Sequence, residues 1–164
     1  MTQAILIATV VATIVVMVVC FTTDLRERAI YVFPCMFLTV TWGVMGAVES
    51  YDFTPVFIVV LIHLCVYAAL KITHIWGDGD SDMFLLYGAV YGVFILKMNL
   101  AFNALAYALG ELLGMIAALL ISFFIGFAEA LIKREKITGK SSIAVVPGLA
   151  VIVIGMVIAM AVKG

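Results

Sequence analysis

The sequence predicts an all-α integral membrane protein: six transmembrane helices in a single domain over residues 1–164, with both termini outside and the odd-numbered loops cytoplasmic. Three observations predict it. Of the 164 residues, 66% are hydrophobic and 12% charged, against roughly 45–50% and about 25% in soluble domains. The apolar residues gather into six blocks separated by charged or turn-rich breaks, and the basic residues divide unevenly between alternate breaks. Six spans at about 20 residues each occupy roughly 120 positions, which leaves too little chain for a soluble domain. Nine Lys and Arg balance ten Asp and Glu, so no basic face for nucleic acid can be assembled.

The first block, residues 4–21, is too long for a signal-peptide core, lacks a basic stretch before it and shows no A-x-A cleavage site, so it reads as a retained span. The second and third blocks cover residues 30–48 and 56–72. The fourth, residues 83–96, rises only about 21 Å against a hydrocarbon core of about 30 Å. Counting roughly 20 residues back from Lys97 reaches Gly77, which places Gly79 and Asp80 at or inside the cytoplasmic edge and Trp76 in the aromatic belt. The fifth block, residues 104–131, carries a small residue at every fourth position from Ala106 through Gly110, Gly114, Ala118 and Ser122 to Gly126 and Ala130. Small residues let helix backbones approach in lipid, so this span is expected to be the central packing helix. The sixth block covers residues 143–162, with Pro147 and Gly148 opening its helix. Every span must be a helix, because backbone polar groups in lipid need partners within the segment, and no alternating segments argue for a barrel.

Orientation follows from the basic residues of the short loops. Arg26, Arg28, Lys71, Lys133, Arg134, Lys136 and Lys140 follow the odd-numbered spans; only Lys97 and Lys163 follow the fourth and sixth. Asp24 and the segment 77–82 therefore share the cytoplasmic face.

A carboxylate at the membrane edge is costly and marks a functional site. Asp80 is such a group, and Asp24, just past the first apolar block, is its expected partner. Two carboxyl groups in one partly desolvated site cannot both ionise easily, so one keeps a proton while the other stays charged. That state suits peptide hydrolysis: the ionised member takes a proton from an attacking water and the protonated member hydrogen-bonds to the scissile carbonyl. Glycines on either side of Asp78 let an extended backbone come close, and Ser81 or Asp82 is expected to cap the fourth helix, whose dipole would face Asp80.

The segment Asp24-Leu25-Arg26-Glu27-Arg28-Ala29-Ile30, with Gly77-Asp78-Gly79-Asp80 before a later span, resembles the paired motifs of type IV prepilin peptidases and the related archaeal preflagellin peptidases, membrane aspartyl proteases of the GxGD type. The resemblance covers nearly the whole chain in motif order and span count. It implies that Asp24 and Asp80 are the catalytic pair. It implies that Gly77, Asp78, Gly79 and Asp82 of one motif and Arg26 and Arg28 of the other border the substrate's approach. Expected substrates are pilin-like or archaellin-like precursors with a short basic leader, cut at the cytoplasmic face of the cell membrane just before a hydrophobic helix. No metal and no cofactor is expected. Tyr31-Val32 stand where the family often has Pro-Asn, and Asp82 stands where it often has Lys, which bears on substrate preference. The four-cysteine domain of larger bacterial relatives is not found in these 164 residues, so methyl transfer is not expected.

Other polar positions have plainer readings. Asp78, Asp80 and Asp82 imitate the start of a calcium loop, but Met83 and Ala89 occupy the places of its required Gly and Glu; a solvated acidic turn is the competing reading of these three. Cys20, Cys35 and Cys65 lack a CxxC spacing and read as packing residues. Tyr51-Asp52 reads as a turn and His74 as an exposed loop residue. His63, inside the third span, is expected in a buried hydrogen bond. Glu111, inside the fifth, needs a partner or a neutral state. A non-enzymatic membrane protein, either a proton- or ion-coupled transporter or an inactive peptidase-like assembly factor, is the alternative function; the halves show no internal symmetry of the kind transporters carry.

Overall fold

A computed structural model of the chain describes residues 3–27, 29–50, 53–73, 78–100, 104–134 and 144–163, with the backbone alone at 53–59, 78 and 104. The described residues form six helices and no strand: α1 Gln3–Glu27, α2 Val32–Glu49, α3 Phe53–Thr73, α4 Asp78–Lys97, α5 Ala104–Lys133 and α6 Val146–Lys163. All but α3 are long and apolar enough over their described residues to cross a membrane. The 21 residues of α3 rise about 31 Å, a comparable length. The architecture is compatible with a multi-pass membrane protein.

Two helices run further than their apolar blocks. Helix α1 continues through Thr22 and Thr23, whose hydroxyls donate to the Val19 carbonyl at 2.9 and 3.1 Å, so their polar groups are satisfied inside the helix. Asp24 consequently lies on the last turns of α1, not beyond it. Helix α4 begins at Asp78, so the expected break over residues 73–82 and the expected cap at Ser81 or Asp82 are both corrected: residues 78–82 are helical. Acidic residues in a first turn complement the positive end of the helix dipole, and the 20 residues of α4 give the about 30 Å needed to cross. Helix α4 ends where Asn99 adopts φ 51°, the left-handed conformation that Asn tolerates, and the Leu100 amide donates back to Ile95 at 3.2 Å.

Helix α4, not α5, is the centre. It packs on α2, α6 and α3, and α1 closes the bundle against α6 and α2. Met83, Leu86, Tyr87 and Val90 of α4 are completely buried. Helix α5 packs chiefly on α6 and meets α4 along a narrow seam, while Leu105, Leu113, Leu120, Phe124 and Leu131 remain exposed. The small residues of α5 do mark close approaches, and toward α4 each of these involves one side chain. A Cβ on Gly110 would overlap the Tyr91 hydroxyl, and one on Gly114 the Tyr87 hydroxyl. The two tyrosines, one turn apart on α4, donate to the Tyr107 and Glu111 carbonyls of α5 at 3.2 and 3.1 Å. Lower on α5, Ser122 Oγ donates to the Val145 carbonyl and accepts from the Gly148 amide, both at 2.9 Å. A neighbouring helix thereby caps the start of α6, where amides have no partner within the helix. Pro147 in the first turn of α6 needs no such partner.

Helices α1 and α2 are joined by a buried polar contact. Trp42, fully buried on α2, donates from Nε1 to Thr13 Oγ1 at 2.9 Å, and Thr13 donates to the Thr9 carbonyl at 2.7 Å. Thr13→Val keeps the volume and leaves the indole N–H without its acceptor, an expected cost of about 1–2 kcal/mol. The check is the unfolding midpoint in detergent together with a shift of the Trp42 emission maximum.

Candidate functional site

The end of the bundle where α1 and α3 stop and α2 and α4 begin collects the acidic residues. Asp24 sits there, 6% exposed, one turn past Cys20 on the same face of α1. Cys20 Sγ and Cys35 Sγ, both fully buried, are 3.6 Å apart and pin the end of α1 to the start of α2. Asp24 acts electrostatically on Cys20, and Asp82 acts on Cys35, so the two carboxylates flank the thiol pair.

Gly79 links the two acidic segments. It lies against Ile30, and a Cβ on it would come within 2.6 Å of Ile30 Cγ1. The stretch that follows Asp24 and the first turn of α4 are therefore in van der Waals contact. Asp80, on that turn, is half-buried, and Ser81 and Asp82 behind it are fully or almost fully buried.

Asp82 is no solvated turn residue. It is 2% exposed, accepts the Tyr67 hydroxyl at 2.9 Å and pairs with Lys71 Nζ at 3.2 Å. Lys71 also lies over the Tyr67 ring at 5.6 Å. Tyr67 and Lys71 are one turn apart on α3, so a single face of that helix holds one carboxylate from both sides. Loop counting places Lys71 only as an orientation charge; its role as a partner arises from the packing of α3 on α4.

The remaining expected site residues are distributed as follows. Arg26, at the end of α1, is exposed. Asp78 is in the first turn of α4, with its backbone described. Arg28 and Gly77, like His74, Trp76 and the Tyr51-Asp52 pair, lie outside the described residues. Among the described residues, no three His, Cys, Asp or Glu side chains converge on a metal-sized site.

A second polar centre lies one level deeper. His63 Nε2 of α3 is 2.5 Å from Glu111 Oε1 of α5, with the two side chains 6% and 13% exposed. The His63 ring reaches α5 by passing over Gly88, where any Cβ would overlap it. Phe84 stacks on the ring at 5.3 Å and Tyr107 meets its edge at 6.5 Å. The expected need of Glu111 for a partner is met by His63, a pairing that the sequence reading left unmade. The signal was present: these are the ionisable side chains furthest from the ends of their spans, and in lipid such groups find each other. His63→Leu leaves a buried carboxyl alone and is expected to cost about 2 kcal/mol, whereas His63→Leu with Glu111→Leu should cost less than either single change. A double-mutant cycle on unfolding in detergent measures that coupling.

What the first centre can do chemically is set by its electrostatics. Asp82 is already engaged by a cation and a phenol. Asp24 and Asp80 lie on the two segments that meet at Gly79, Asp24 buried and Asp80 half-buried. Comparison of the chain with protein-family models, curated proteins and solved structures finds no match.

Proposed function

We propose that this protein is a membrane aspartyl endopeptidase. In this reading, it removes the short basic leader of pilin-like or archaellin-like precursors at the cytoplasmic face. Asp24 and Asp80 are its acid–base pair. The observation that carries the reading is the contact of Gly79 with Ile30, which unites the two acidic segments at one end of the bundle. Asp24 is 6% exposed, so chemistry at its carboxyl runs largely out of bulk water. Water attacks the scissile carbonyl as the ionised carboxylate takes its proton, and the protonated carboxyl donates to the carbonyl oxygen. Collapse of the tetrahedral species breaks the C–N bond, and the proton goes to the leaving amine. Exposed Arg26 and the glycines of the second motif then border the path of the extended leader. Lys71 supplies, from α3, a cation beside Asp82. The family that the sequence resembles often places a Lys at position 82 itself.

The test is cleavage in liposomes of precursors that carry a basic leader before a hydrophobic helix, with the product's new N-terminus read by mass spectrometry. A cut between leader and helix supports the reading, and intact precursor in the presence of folded protein overturns it. A proton-coupled transporter is the second reading, favoured by the buried His63–Glu111 pair; it predicts proton flux in liposomes that His63→Leu abolishes.

A further inference from the structure

A cleft of about 250 Å³ lies between α2 and α3 with α4 as its floor, and Gly43 on α2 and Gly92 on α4, where a Cβ would meet nothing closer than 4.0 Å, leave it open. Helices α2 and α3 scarcely touch each other, so the cleft opens sideways, and Val40, Val60 and Leu64 on its rim are exposed. Along α4 it runs from Leu85 to Leu96, a rise of about 17 Å. That is close to one leaflet of a hydrocarbon core of about 30 Å. Its lining is almost wholly apolar. At its Leu96 end, Lys97 Nζ and Glu49 Oε1 pair at 3.2 Å, each about a quarter exposed.

The shape and the mouth point to one occupant. A run of about 17 Å along α4 and an almost wholly apolar lining match one extended alkyl chain, and the charged pair at the Leu96 end is complementary to a zwitterionic or phosphate-bearing headgroup. The ion pair at the mouth supplies an ammonium for a phosphate and a carboxylate for a headgroup amine, and both stay hydrated enough to exchange partners.

We propose that this cleft is a binding site for one alkyl chain of a membrane phospholipid, with the phosphate against Lys97 and the chain lying over Gly92 and Gly43 beside the His63 ring. A lipid held there separates the buried His63–Glu111 pair from bulk bilayer and fills the space open at Gly43 and Gly92. The site is independent of the peptidase reading and is tested without any cleavage assay.

Trp42 lines the cleft and is otherwise buried, so it reports on an occupant that other lipids cannot bring near. With Trp76→Phe as background, Trp42 is the sole tryptophan. In vesicles of phosphatidylethanolamine and phosphatidylglycerol with dibrominated chains, its emission should fall by more than half relative to unbrominated vesicles. A Cβ on Gly43 meets nothing within 4 Å, and one on Gly92 meets only the Tyr107 hydroxyl at 4.0 Å; Gly43→Leu and Gly92→Leu therefore fill the cleft without a backbone clash. Each should restore most of the emission. Native mass spectrometry of the unmodified protein should show one retained phospholipid, lost several-fold more readily in Lys97→Gln. Unquenched Trp42, quenching untouched by both leucine variants, absence of a retained lipid, or a hydrophobic precursor segment that displaces the lipid at equal amounts would each overturn the proposal.

Discussion

Asp24→Asn and Asp80→Asn are each expected to lower precursor cleavage by about 1,000-fold or more while the helical content and detergent unfolding stay near those of the unmodified protein. Asn preserves the shape of Asp but neither takes nor gives a proton at these pH values. General acid–base groups contribute roughly 10²- to 10⁴-fold, and members of one catalytic unit fail together, so the double variant should be little worse than either single one. The pH dependence supplies an independent check. A pair that works with one proton loses rate when it gains a second and again when it loses the first, so cleavage should follow a bell. Retained cleavage in a folded Asp24→Asn or Asp80→Asn protein would remove that residue from the dyad. Asp82→Asn is the contrasting case: its carboxylate is engaged by Tyr67 and Lys71, so the change should weaken the packing of α3 on α4 more than it slows chemistry.

The largest expected effect on stability is that of Gly148→Ala. A Cβ at this position would overlap the backbone carbonyl oxygen of Ala118 and crowd Ser122 Oγ, and backbone cannot rotate aside as a side-chain tip can. To relieve the overlap, α6 must move off α5, which also breaks the two hydrogen bonds that Ser122 makes to Val145 and Gly148. Overpacking costs typically about 1–3 kcal/mol, and with the lost cap the expected total is about 3 kcal/mol or more. Unfolding in detergent should shift down by several degrees. Gly155→Ala serves as the control, since a Cβ there meets nothing within 4 Å and improves helix propensity.

The helices themselves were legible because hydropathy in lipid is a strong signal, but the start of α4 was not. Its first turn is acidic and carries no apolar signal, so the sequence places a cap at Ser81 or Asp82 where the helix already begins at Asp78. The nearness of the two acidic segments was legible as a shared face, and the contact of Gly79 with Ile30 gives it a physical form. What was not legible came from side chains that cross between helices. A repeat of small residues announces close approach but not how many neighbours approach, so α5 reads as central although α4 is. Lys71 reads as a topology charge because its partnership with Asp82 exists only once α3 lies on α4. His63 and Glu111 each read as isolated, and neither span contains a hint of the other except that both are costly where they are.

The pairing of Tyr87 with Gly114 and of Tyr91 with Gly110 works as an index between two antiparallel helices. Lipid gives such helices little reason to prefer one longitudinal alignment over another; here each hydroxyl drops into a notch, and a slide of one turn, about 5.4 Å, would push one hydroxyl against Ala106 or Ala118, where a methyl group stands. The same slide would carry Glu111 away from His63. Helix α5 is thus locked against translation at three points even though most of its surface faces outward.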